Sequence, residues 1–106
     1  MAKFPADEMH VWSVQDFIDE HENLNHLRPR KRGDTIVLES GPKGDAIPHA
    51  RVRRVTSQWW ALELPDSNGR WDVVPLVRAP LREVLDTIRQ EFPWTLTPSE
   101  QSGMNF

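Results

Sequence analysis

The chain has 106 residues, 27% of them charged and 38% apolar, and a formal charge of −3. That length supports one hydrophobic core and excludes a second independent one. A charge so close to balance argues against a uniformly basic nucleic-acid coat and against an acidic solvating tail.

The distribution is less even than the total. Residues 1–27 hold one basic side chain (Lys3) and six acidic ones, whereas residues 28–54 hold eight basic and three acidic. Residues 55–106 hold four basic and seven acidic. The chain is therefore acidic, then basic, then acidic. Either the first two blocks neutralise each other in the fold, or the basic block faces a partner.

The first predicted element is a helix. Ser13 is placed to cap it, with Asp16 three residues on as in a capping box and Trp12 and Phe17 at the staple positions. Val14, Phe17, Ile18, Leu24 and Leu27 follow helical spacing, with His21 on the same stripe. Pro29 ends the helix by Arg28, because the residue before a proline avoids helical geometry. Acidic side chains crowd its first half, where the helix dipole favours them.

Four strands are predicted next. Residues 35–39 are β-branched and short, and residues 41–45 read as a loop. Residues 49–56, 59–64 and 70–77 alternate between apolar and polar positions. Asn68-Gly69 is a strong hairpin signal, and a two-residue loop there pairs Leu64 with Val73. Pro75 lacks a backbone donor, so its strand is expected at an edge or with a bulge. The turn near Ser57 needs one or three residues to keep Val52 and Leu62 on one face. Pro80 opens a last helix striped by Leu81, Val84, Leu85, Ile88 and Phe92, and Pro93 ends it.

These elements predict an α+β fold: a four-stranded antiparallel meander sheet flanked by an N-terminal and a C-terminal helix. Residues 1–97 form the single domain and 98–106 a disordered tail. The expected core face is Ile36, Leu38, Val52, Trp60, Leu62, Leu64, Trp71 and Val73, covered by Phe17, Ile18, Leu24, Leu81, Leu85 and Ile88. Arg51, Arg53 and Glu63 are expected in solvent.

Chemistry is harder to find. The absence of cysteine rules out disulfides and thiolate ligands. His21 and His26 are five apart, which sets them about 140° apart on a helix and away from zinc-site spacing. Gly41-Pro42-Lys43-Gly44-Asp45 has the glycines and lysine of a phosphate loop but no following Ser, Thr or helix. Glu63 and Asp72 are expected near each other on the outer sheet face, without a pocket to shift their pKa values. No cofactor or metal is expected. With neither a signal peptide nor a spanning run, a cytoplasmic protein that does not enter a membrane is expected.

The combination of arginine and tryptophan is the functional lead. Arg51 and Arg53 point outward with Trp59 beside them, and Arg30, Lys31 and Arg32 form a basic run upstream. Outward tryptophan with arginine is the composition of protein-interaction hot spots. The expected function is a non-enzymatic protein-interaction module or homodimer. Single-stranded nucleic-acid binding, with stacking on tryptophan and arginines on phosphate, is the alternative. An enzyme with an unrecognised site is a third reading.

Residues 28–92 also resemble a family of small bacterial proteins of unknown function. The shared pattern is Arg28-Pro29, Arg51-Val52-Arg53, Trp60-Ala61-Leu62, Trp71, and the stripe of Leu81, Leu85 and Ile88. The resemblance implies a bacterial source and no activity, and it carries no site residues over.

Overall fold

A computed structural model describes residues 4–98. The described residues form helix α1 (Glu8–Asp19), strands β1 (Arg28–Arg32), β2 (Thr35–Ser40), β3 (Ile47–Arg54), β4 (Trp60–Pro65) and β5 (Trp71–Ala79), and helix α2 (Leu81–Glu91). Short 3-10 turns lie at Glu22–Leu24 and Pro93–Leu96. The α+β class and the antiparallel meander agree with the sequence reading, but the sheet has five strands in the order β1 to β5. The tail expected at 98–106 lies outside the described residues except for Pro98.

The additional strand is the basic run itself. Arg28 to Arg32 pair with Glu39 to Thr35 around a two-residue Gly33-Asp34 loop. Gly33 stands at φ +61, the left-handed backbone that this hairpin loop needs and that glycine adopts without strain. RPRKR has no apolar alternation to mark it as a strand. At a sheet edge, charge and proline are the expected composition, because they discourage pairing with another chain.

Helix α1 starts earlier than expected. Asp7 caps it: its carboxylate accepts from the Met9 and His10 amides, and His10 Nδ1 accepts from the Asp7 amide. Ser13 lies inside the helix, where its hydroxyl donates to the Met9 carbonyl at 3.1 Å, and Trp12 is exposed rather than stapled. The helix also stops at Asp19, because His21 takes an extended backbone. Leu24 and Leu27 reach the core from the 3-10 turn that follows.

Both helices pack on one sheet face. Val14, Phe17 and Ile18 of α1 and Leu81, Val84, Leu85 and Ile88 of α2 join Ile36, Leu38, Ala50, Val52, Trp60 and Leu62 in one core. The turn after β3 has three residues, since the Val55 amide donates to the Trp59 carbonyl at 2.8 Å, and Val52 stays opposite Leu62 as required.

The β4–β5 register differs from expectation by one residue. Leu64 pairs with Asp72 and Glu63 with Val73. The cause is Asp66. Its carboxylate accepts from the Asn68 and Arg70 amides at 2.8 and 2.9 Å, which favours a three-residue loop closed by Gly69 at φ +80. A one-residue shift moves every side chain to the other face. Trp71 and Val73 therefore leave the expected core for the uncovered face, and Val73 is 60% exposed. Further along, the pairing jumps to Ala61 with Arg78. Pro75 and Leu76 bulge out of the ladder, which returns Val77 and Ala79 to the core margin.

The cap assignment is testable. Asp7→Ala should lower unfolding free energy by about 1 kcal/mol in a denaturant titration, while Ser13→Ala should stay within about 0.5 kcal/mol. The reverse order would restore the later helix start.

Candidate functional site on the uncovered sheet face

No described helix lies on the second face of the sheet. Strand register arranges its side chains in rows. Arg32, Thr35, Arg53, Ala61 and Arg78 form one row across all five strands. Arg30, Val37, Arg51, Glu63 and Val73 form the next. Arginine stems lie over the smaller residues between them, so Thr35, Val37 and Ala61 are buried although no helix covers them.

Two buried carboxylates organise the guanidinium groups. Glu63 accepts from Arg51 Nε at 2.5 Å and from Arg53 Nε at 3.0 Å. Arg53 also donates to both oxygens of Asp34, at 2.8 and 2.9 Å. Hydrogen bonding to Glu63, and then to Asp34, raises the Arg53 pKa above its ordinary value despite partial burial. Glu39 accepts from Arg30 Nε at 2.7 Å. Arg28 Nη2 lies 3.3 Å from Glu39, close enough for an ion pair but outside hydrogen-bond geometry, while its Nη1 donates to the Gly41 carbonyl.

The outward placement expected of Glu63 is thus corrected: it faces away from the helices, yet it is only 5% exposed. Two arginines close over it, an arrangement that alternation alone does not reveal. Asp72 falls on the other face from Glu63, so the expected carboxylate pair does not form.

The predicted site residues divide by strand parity. Arg30, Arg32, Arg51 and Arg53 share the uncovered face. Lys31 belongs to the helix side, 3.7 Å from Glu8 of α1. Trp59 precedes β4 and lines a small cavity with Thr56 and Arg78. The tryptophan that meets the arginines is Trp71: the Arg51 guanidinium sits 4.5 Å from its ring centroid, a cation–π contact. Trp71 was missed because the two-residue turn set the wrong parity, and Arg78 because it lies one residue beyond the strand expected at 70–77. The signal that finds Trp71 is Asp66 three residues before Gly69.

On this face, β1, β2, β3 and the 41–46 connection border a cavity of about 340 Å³. Arg30, Arg32, Lys43 and Arg51 line it, with Glu39 and Trp71.

A second polar cluster lies at the sheet end near the last 3-10 turn. His49 Nδ1 is 2.8 Å from the Thr95 carbonyl and its Nε2 is 2.7 Å from Ser40 Oγ. A carbonyl only accepts, so Nδ1 carries the proton and the Ser40 hydroxyl donates to Nε2. Serine and histidine in this relation resemble a nucleophile and its base. Both are only 6% exposed, however, and the pair is closed off from substrate in this conformation. Its evident effect is mechanical. His49 holds the Thr95 carbonyl, and His26 Nε2 holds the next one, that of Leu96, at 2.7 Å. Burial pushes the His49 imidazole below its ordinary value; the Thr95 bond opposes this and His26 adds to it. Burial lowers His10 as well, against Asp7 and with Arg54.

No protein-family model, curated protein or solved structure matches the chain. Among the described residues, no helix is long and apolar enough to cross a membrane.

The two lowered histidines set a pH dependence. The unfolded chain takes up protons first as pH falls through about 6.5, the ordinary imidazole value. Their contribution is therefore full above that value and is lost as pH falls below it. Thermal unfolding should show declining stability from neutral pH into the acid range. His49→Gln should flatten the slope without removing it, since His10 titrates in the same sense. An unchanged slope in that variant would show that His49 is not held neutral.

Proposed function

We propose that this chain is a non-enzymatic protein-interaction module that associates with a second copy of itself along the outer margin of β5. Leu76 carries the reading. It is fully exposed (102% of its reference area) and stands at φ +67, an uncommon and costly backbone for a bulky residue. Pro75 and the bulge hold it there, where it shields nothing of its own chain. Val73 and Trp59 are exposed on the same margin, and Trp59, Thr56 and Arg78 line a shallow cavity of about 260 Å³.

A knob and a hollow on the same margin suit a two-fold interface. In such an interface each surface meets its own copy, so Leu76 of one chain enters the Trp59 hollow of the other and the reverse. Tryptophan and arginine around a central apolar residue are the usual composition of binding hot spots. The bulge interrupts the free edge of β5, so association proceeds through side chains and not by adding a strand.

One observation favours a second reading, single-stranded nucleic-acid binding. Arg32, Arg53 and Arg78 lie in one row with only Thr35 and Ala61 between them. A row of guanidinium groups can track a phosphate backbone. Glu63 and Asp34 weigh against it, because they already hold Arg53, the middle guanidinium of the row. Steep weakening of oligonucleotide binding with salt would distinguish it.

Sedimentation across the micromolar range tests the first reading. The chain should be a concentration-dependent dimer. Leu76→Asn suits the test because asparagine tolerates positive φ. That variant should weaken the dimer by about tenfold or more while leaving the fold intact. A monomer throughout the range, or a variant that dimerises unchanged, would sink the proposal.

A further inference from the structure

We propose that the cavity walled by β1, β2, β3 and the 41–46 connection binds an organic phosphate with a flat ring, a nucleoside diphosphate being the simplest match. The site stands apart from the dimer reading, since it lies at the far end of β5 from Leu76.

Charge points to the ligand. Four cations, Arg30, Arg32, Lys43 and Arg51, line the cavity against one carboxylate, Glu39. Two of the four are already engaged, Arg30 by Glu39 and Arg51 by Glu63. Arg32 and Lys43 have no acidic partner among the described residues. The cavity thus combines two cations fixed in position by buried carboxylates with two that are free to close on an anion. Guanidinium forks and a lysine ammonium are the usual partners of phosphoryl oxygens, because each donates several charge-assisted hydrogen bonds.

Shape adds the ring. Trp71 forms part of the wall, and the Arg51 guanidinium carbon lies over its ring, 4.5 Å from the centroid. Such an arginine–tryptophan stack offers a planar, cationic surface for a base. A volume of about 340 Å³ is at the small end of ligand sites and admits a nucleotide but no large cofactor. The same chemistry is offered by a free nucleotide and by the phosphorylated end of a single strand.

Calorimetric titration of the full chain at low salt tests this, with adenosine diphosphate, inorganic pyrophosphate and a 5′-phosphorylated oligothymidylate as probes. Arg32→Gln with Lys43→Gln removes the two free cations without touching the ion network. Arg70→Gln with Arg89→Gln removes the same charge elsewhere. The diphosphate should bind, the first pair should weaken it by about tenfold or more, and the second by less than about twofold. Pyrophosphate should bind about tenfold more weakly than the nucleotide, and Trp71→Leu should erase that difference. An oligonucleotide that displaces the nucleotide and binds more tightly assigns the site to strand ends; one that does neither assigns it to free nucleotides. No binding by any of the three probes, or equal loss in the two paired variants, would overturn the site. Equal binding of pyrophosphate and nucleotide would overturn its flat-ring specificity.

Discussion

The Glu63 carboxylate is buried on a sheet face that no described helix covers, and the arrangement of that face follows from how it is kept buried. It stands opposite Arg51 in the pairing register and receives the Nε groups of both Arg51 and Arg53. Arg53 extends the chain of bonds to Asp34, and Glu39 repeats the arrangement with Arg30. A single-layer sheet of this size would otherwise leave Val37 and Ala61 in water. Here the arginine stems cover them while the heads stay at the surface, so apolar burial and charge pairing are achieved by the same side chains. Such a network is not strong evidence of stability, because desolvation offsets much of the attraction between paired charges. It does fix position. Arg51 cannot swing away from Trp71 without abandoning Glu63.

The basic middle of the chain consequently does not behave as a basic patch. Among the described residues, the acidic first helix pairs charge with it only through Glu8 and Lys31, on the far side of the sheet. Most of the neutralisation comes from within the block and from Glu63. The remaining reactive surface is Arg32 and Lys43, which have no acidic partner among the described residues, and the exposed apolar residues along β5. The two edges are protected differently. β1 has charge and Pro29, and β5 has its bulge, so neither edge invites a foreign strand.

How much of this was legible in the sequence differs from element to element. The stripe of α2 and the alternation of β3 and β4 could be read directly, because each turns one apolar face toward the core. The residues that pack Phe17, Ile18 and Leu85 against Ile36, Val52, Trp60 and Leu62 follow from that alone. β1 was not legible, since RPRKR has no apolar period and an edge strand with a charged outer face needs none. The parity of β5 turned on one side chain. Asp66 binds two amides of its turn, adds a residue to the loop and carries Trp71 to the arginine face. Arg51 and Arg53 share a face as alternation implies, and the unforeseen strand β1 adds Arg30 and Arg32 to it. Lys31 could not, because it sits one residue out of phase with its neighbours. Glu63 was misplaced in burial and not in direction: alternation tells which way a side chain points, but not whether two arginines close over it.

The central claim is that Arg51 and Arg53 on the uncovered face are held by its own carboxylates and that contact with a second copy occurs at the β5 margin. Amide hydrogen exchange at low and high protein concentration tests it directly. Protection should rise with concentration across 73–78 and at Trp59, and stay constant at Val37, Arg51 and Arg53. Concentration-dependent protection centred on Arg51 and Arg53, with β5 unchanged, would contradict it.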